Sequence, residues 1–200
     1  MGSHNVNEDN ITAVSSDGEI RRYNLSRLKK AGYGYFWRKR KTQQKYAKNR
    51  HVLGKALIKL SKNYHNLVSS ELHKVSANLA KWCEEKGYGL IREELKGIRD
   101  SVNRRVKRLN RVNGKIQEIS VKSKKLKRRL NNWWFRKFFH MVGYKCSWLG
   151  VRVKPEKAGG TSTTCPRCGS KLEEYPNRQV KCSNCRYKED REYNRLPKPA

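Results

Sequence analysis

Two cysteine pairs near the C-terminus constrain this chain more than any other feature. They stand as Cys165-Pro-Arg-Cys168, thirteen residues, then Cys182-Ser-Asn-Cys185. Each pair supplies two sulfurs from one tight turn, and the stretch between returns the chain for the second pair, so the four thiols can close around one zinc ion. Two disulfides or four unrelated thiols are the alternatives. Zinc is preferred because the spacing is that of structural four-cysteine sites and no secretory signal is present. Four thiolates fill the ion's shell and leave no position for water, so the module reads as structural. It would present Arg167, Lys171, Arg178, Lys181, Arg186 and Lys188 to phosphate. Shortly after it comes Glu189-Asp190-Arg191-Glu192-Tyr193-Asn194, an acidic knot in a basic chain. Cys83 and Cys146 lie among apolar residues and read as buried thiols.

Charge identifies the partner. Lys and Arg number 48 against 17 acids, a net charge of +31 over 200 residues. So much uncompensated charge repels itself unless it meets a polyanion. Nucleic acid fits, because neutralising phosphates releases condensed counterions. An anionic membrane surface would also accept charge, but no stretch approaches the roughly 20 apolar residues needed to span a bilayer. A lipid-anchor signal is also missing, and reduced thiols place the chain in the cytoplasm. Met1-Gly2-Ser3-His4 has the look of a cloning remnant and is set aside.

The length allows one ordinary domain, or one domain and a small module. Ile11–Tyr23 reads as two short strands around Asp17-Gly18, with Asn5-Val6-Asn7 ending an earlier strand. From about Ser26 the period becomes helical. Leu53, Leu57, Leu60, Tyr64, Leu67, Leu72, Val75, Leu79 and Trp82 form one stripe on a long helix. Gly32 and Gly34 are expected to break a shorter helix from it. His65 and His73 read as packing or surface residues, since no cysteine or acid accompanies them at metal spacing. Gly87 ends the long helix, and Tyr88–Leu95 is a strand running into Glu93 and Glu94. Residues 99 to 132 are basic and hydrophilic, and read as a basic helix on which Lys124, Lys125, Arg128 and Arg129 track phosphates. A solvated connection is the other reading. The aromatics from Trp133 to Trp148 suit an amphipathic helix, of which one or two could stack on bases. Val151–Lys154 follows as a strand, and Gly159-Gly160-Thr161 joins it to the cysteine module.

This order resembles the C-terminal half of the TnpB (OrfB) proteins of bacterial and archaeal insertion sequences, relatives of the type V CRISPR nucleases. The motifs are Val6-Asn-Glu-Asp-Asn-Ile-Thr-Ala-Val14 followed by Asp17-Gly18, and Leu90-Ile-Arg-Glu-Glu-Leu95. To these add Thr161-Ser-Thr-Thr-Cys-Pro-Arg-Cys-Gly169 and Asp190-Arg-Glu-Tyr-Asn194. The resemblance implies an α/β fold: an RNase H-like (RuvC) core over 5–158 with a long helical insertion at about 26–86, a zinc ribbon over 161–188, and the end of the core at 189–200. It also implies a prokaryotic, nucleoid-associated protein acting on DNA, with guide RNA held by domains of a longer parent.

In that family three carboxylates hold two Mg²⁺ or Mn²⁺ ions and cut DNA. Hard cations want oxygen ligands, and clustered carboxylates repel one another unless metal lies between them. Glu93 matches the middle acid. The first acid's position holds Asn5, which offers a neutral oxygen. The third is Glu192, a longer arm, with Asp190 two residues away as a substitute. Errors of about an ångström in such a site cost roughly a hundredfold in rate. Two readings therefore stay open. One is a metal-dependent endonuclease module on Glu93, Glu192 or Asp190, and Asn5. The other is a nucleic-acid-binding module with a decayed site, gripping through Lys124, Lys125, Arg128, Arg129, Arg167 and Arg191. A zinc-stabilised protein-interaction ribbon leaves the +31 unexplained. Oligomeric state is open, since the helical stripe could cover its own sheet or another copy; the former is expected.

Overall fold

The computed structural model describes residues 2–95, 97–110, 112–157, 163–165, 167–176 and 179–190, with backbone alone at 2–5, 157 and 190. The chain divides into two units, one built from residues 1–93 and 135–200, the other from 94–134.

The first unit is organised by a five-stranded sheet in the order β3-β2-β1-β4-β7. Strands β1 (Gly2–Val6), β2 (Asn10–Ser15) and β3 (Ile20–Asn24) form an antiparallel meander, and β4 (Leu90–Glu94) joins β1 in parallel. Gly2, Ser3 and His4, set aside in the sequence reading, are therefore paired residues of β1, opposite Ser15, Val14 and Ala13. Strand β2 is buried from Ile11 to Ser15, on both faces, whereas β3 alternates exposed and half-buried as an edge strand does. The β2–β3 turn carries Asp17-Gly18, with Gly18 at φ 88°. There the Ser15 hydroxyl, followed by Lys86, holds the Asp17 carboxyl down to about 2.

Two long helices follow: α1 (Ser26–Lys45) and α2 (Arg50–Glu85). Gly32 and Gly34 do not interrupt α1. A Cβ on Gly32 would stand 3.1 Å from the Tyr64 hydroxyl, so this glycine lets the two helices approach. The break comes at 46–49, where the Asn49 side chain caps α2 by accepting from the Val52 N–H at 3.1 Å. The α2 stripe is buried only in its C-terminal half, at Val68, Leu72, Val75, Leu79 and Trp82. That half lies against the protein's own sheet and α5. The Tyr23 hydroxyl of β3 donates to Asn78 at 2.8 Å, and the Arg21 guanidinium lies 5.1 Å from the Trp82 ring. Gly87, at φ 66°, ends α2 as expected.

Helix α5 (Phe135–Trp148) buries Phe135, Phe138, Phe139, Met141, Val142 and Cys146. Trp134 precedes it and is half-buried, whereas Trp148 is 78% exposed and so lies off the packed face expected of these aromatics. Strand β7 runs Val153–Lys157, two residues later than expected. Cys83 and Cys146 are fully buried, and loss of solvent pushes their thiols up to about 12 and about 11.

The second unit is not a basic helix. It contains α3 (Ile98–Asn103), a hairpin of β5 (Arg105–Leu109) and β6 (Ile116–Ser120), then α4 (Lys124–Asn131). The Asn110 side chain accepts from Val112 N–H at 2.9 Å, and Gly114 adopts φ 65°, which turns the chain between the strands. Asn113-Gly114 was the sequence signal for this hairpin. Among the described residues no helix is long and apolar enough to cross a membrane.

Candidate functional site

The cysteine module is a three-stranded antiparallel sheet, ordered β10-β9-β8, of β8 (Leu172–Tyr175), β9 (Gln179–Cys182) and β10 (Lys188–Asp190). Its two turns repeat one geometry. Gly169 N–H donates to Cys165 O at 2.9 Å, and Arg186 N–H to Cys182 O at 3.1 Å. Both donors have a left-handed backbone, φ 71° and 57°. The turns bring the four cysteine Sγ atoms within 4.8 Å of one another, with Cys165–Cys185 at 3.4 Å and Cys168–Cys182 at 3.5 Å. All four are free thiols, not disulfides.

A tetrahedral ion with bonds of about 2.3 Å to sulfur needs sulfurs roughly 3.8 Å apart, so the cluster fits a metal such as zinc. The thiols lie in unequal surroundings. The Ser170 side chain and backbone hold the Cys168 thiol down to about 6. Cys185 behaves oppositely: despite the Tyr187 backbone hydrogen bond, desolvation and the neighbouring thiols push it up to about 12. Beneath the cluster lies a small core of Cys165, Leu172, Val180, Cys182 and Tyr187, with the Arg167 guanidinium 5.3 Å from the Tyr187 ring.

Of the acidic candidates, Glu93 lies on the five-stranded sheet and Asp190 on the sheet of the cysteine module. Glu93, on β4, is buried at 8% exposure. The parallel register pairs Ser3 with Ile91 and His4 with Arg92. Continued by one residue, it brings Asn5 level with Glu93. Asn5 is in turn opposite Thr12, and Thr12 opposite Arg22. Arg22, Thr12, Asn5 and Glu93 thus share one row across four strands. Thr12 is 2% exposed and its hydroxyl has no hydrogen-bond partner among the described residues. Of these, Glu93 and Thr12 carry oxygen donors and Arg22 a cation. Among the described residues, however, the cysteine cluster is the one group of three or more His, Cys, Asp or Glu donors close enough to share an ion. Asp190 ends β10. Glu192 and Arg191 lie outside the described residues, as do Arg178 and the Gly159–Thr161 joint.

Of the basic candidates, Lys124, Lys125, Arg128 and Arg129 all lie on α4, and Arg167 stands in the first cysteine turn. His65 and His73 are both exposed, and His73 Nδ1 lies 3.3 Å from the Tyr144 hydroxyl. A cavity of about 560 Å³ opens at the Leu90 end of β4, lined by Cys83, Leu149 and Arg152 among others. Glu93 does not line it, and the cavity has no cluster of acids.

Three comparisons match this description. Residues 135–195, which take in α5, β7 and the cysteine module, match the Cas12f1-like TNB domain family. The TnpB-like protein MJ0751 of Methanocaldococcus jannaschii is 30% identical over 192 residues, covering 94% of this chain and 63% of its own length. Among solved structures, a chain of a CRISPR-Cas12f ternary complex superposes with a TM-score of 0.67 at 16% identity, covering 98% of this chain and 37% of that one. A chain of a Cas12f1–sgRNA–target DNA complex gives 0.56 at 17% identity, covering 98% and 48%. The chain thus spans less than two thirds of each of these relatives.

Proposed function

We propose that this chain is a member of the TnpB-like family related to the type V effectors, and that it is the nuclease module of a transposon-associated DNA endonuclease. In this reading the five-stranded sheet is an RNase H-like, RuvC-type core, and the cysteine module is a structural zinc ribbon. One observation carries the proposal: a buried carboxylate, Glu93, stands on the strand beside β1, level with Asn5. Burying an acid is costly unless a partner compensates it, and such positions gather where chemistry is done.

Glu93 would be the principal ligand of Mg²⁺ or Mn²⁺, with Asn5 adding a neutral oxygen and Glu192 or Asp190 the remaining carboxylate. The ion, when bound, would supply Lewis acidity at the phosphodiester and an activated water. The chain's own cations do the rest. Lys124, Lys125, Arg128, Arg129, Arg167 and Arg191 neutralise phosphates and hold the strand. Zinc on Cys165, Cys168, Cys182 and Cys185 keeps the ribbon folded so that the acidic knot after it returns towards the sheet. DNA is the substrate in this reading, and guide RNA is a partner where further domains accompany the chain.

The test is incubation of the purified chain with single- and double-stranded DNA in Mg²⁺ or Mn²⁺, beside Glu93→Ala. Metal-dependent cutting that disappears in Glu93→Ala is expected; cutting that survives the substitution overturns the assignment. Asn5 favours a second reading, since it removes one negative charge from the row. In that reading the module binds nucleic acid tightly and salt-sensitively without cutting. Asn5→Asp separates the two, because it raises cutting at least tenfold in a weakened nuclease and does nothing in a chain that only binds.

A further inference from the structure

The strongest unassigned feature is the helical hairpin of α1 and the first half of α2. Residues 26–70 carry thirteen Lys and Arg and no Asp or Glu. Arg27 pairs with Glu71 at 3.2 Å and Lys29 with Asp9 at 3.0 Å. Beyond them Arg38, Lys39, Arg40, Lys41 and Lys45 are all exposed and meet no carboxylate among the described residues. These charges repel one another along a helix unless an anion is held there.

Aromatic rings lie among these cations. Tyr35 is stacked on Tyr64 with centroids 4.5 Å apart, which knits α1 to α2. Tyr33 and Trp37, one turn apart, are 59% and 41% exposed, with their rings 6.1 Å apart. The Arg40 guanidinium lies 5.9 Å from the Trp37 ring. Exposed rings spaced along a face of uncompensated cations are what a strand with unpaired bases requires: the rings accept bases and the cations accept phosphates. A duplex keeps its base faces stacked and would leave both rings unused.

We propose that the Tyr33–Trp37 face of α1, with Arg40 and Lys41, is a binding site for single-stranded nucleic acid. It is separate from the Glu93 row and from the cations on α4. The site does not depend on cutting, so Glu93→Ala leaves it intact, and a failure of the nuclease reading does not touch it.

The test measures affinities of the full chain for four probes: a dT 20-mer, a U 20-mer, an abasic 20-mer of the same charge, and a 20-base-pair DNA duplex. The wild-type chain is expected to prefer a base-bearing strand to the abasic one. Tyr33→Ala/Trp37→Ala lowers single-strand affinity about tenfold, leaves abasic and duplex affinities unchanged, and abolishes the preference. Trp37→Phe restores most of the loss, which excludes an unfolded arm as its cause. Replacing Arg40 and Lys41 with Ser flattens the single-strand salt slope by about 1.4. The dT and U probes decide whether the strand is DNA or RNA. A base preference that survives the double substitution overturns the proposal. So does an equal loss on the duplex, which would make the face a phosphate contact alone.

Discussion

Arg186 is the one non-glycine among the described residues with a left-handed backbone, at φ 57°. Its counterpart in the other cysteine turn is Gly169, at φ 71°. A side chain in that region costs roughly 1–2 kcal/mol, part of which glycine gives back as unfolded-state entropy. Arg186→Gly should therefore stabilise the ribbon by about 0.5–1 kcal/mol, read as a higher melting temperature of the metal-loaded chain. The buried thiols make a second prediction. Cys83 and Cys146 are raised from 9.0 to about 12 and about 11 by desolvation. Raised values mean that the folded state keeps the proton. This contribution is complete below pH 9 and is lost as pH climbs towards the folded values. Urea unfolding between pH 8 and 10.5 should show stability falling by up to about 1.4 kcal/mol per pH unit for each thiol. The fall should shrink in Cys83→Ala. Both thiols were legible as buried from their apolar neighbours, whereas the left-handed Arg186 was not, because no residue type announces it.

Among the elements, long periodic segments were easy to read and glycines were ambiguous. The stripe from Leu53 to Trp82 announced α2, but Gly32 looked like a helix break and proved to be a close approach to Tyr64. Sequence shows that a glycine lacks a side chain; only the neighbouring helix shows what fills the space. The second unit was misread for a different reason. Its apolar residues, Val106 and Leu109, then Ile116 and Ile119, stand three apart without the alternation of a strand, although Asn113-Gly114 marked the turn. Helix α4 keeps its predicted cations, with Leu126 and Leu130 half-buried on the other side. Charge reversal of Lys124, Lys125, Arg128 and Arg129 should flatten the salt dependence of DNA binding while leaving the far-ultraviolet circular dichroism unchanged. An unaltered slope would mean that α4 does not touch phosphate.

At the level of the whole molecule, stability comes from two different sources. The large unit has a sheet covered by α2 and α5, with Trp82, Phe138, Leu72, Leu79 and Leu90 almost fully buried. The ribbon rests on five buried residues, too few to stand without its ion. Structural zinc in such modules contributes on the order of 10–16 kcal/mol of apparent binding energy. A chelator should therefore release amide protection in β8, β9 and β10 while β2 and α2 remain protected. Unchanged exchange in the ribbon would contradict the metal assignment. The sequence by itself determined the excess of cations, the four-thiol cluster, the long helix and the strand that carries Glu93. Each follows from composition, spacing or local periodicity, properties that neighbouring residues carry along the chain. Only the tertiary structure placed Asn5 level with Glu93, took Trp148 out of the packed face, and left Tyr33, Trp37 and Arg40 on an open surface. Those facts depend on strand register and on which faces other elements cover, and both are decided by contacts between residues far apart in sequence.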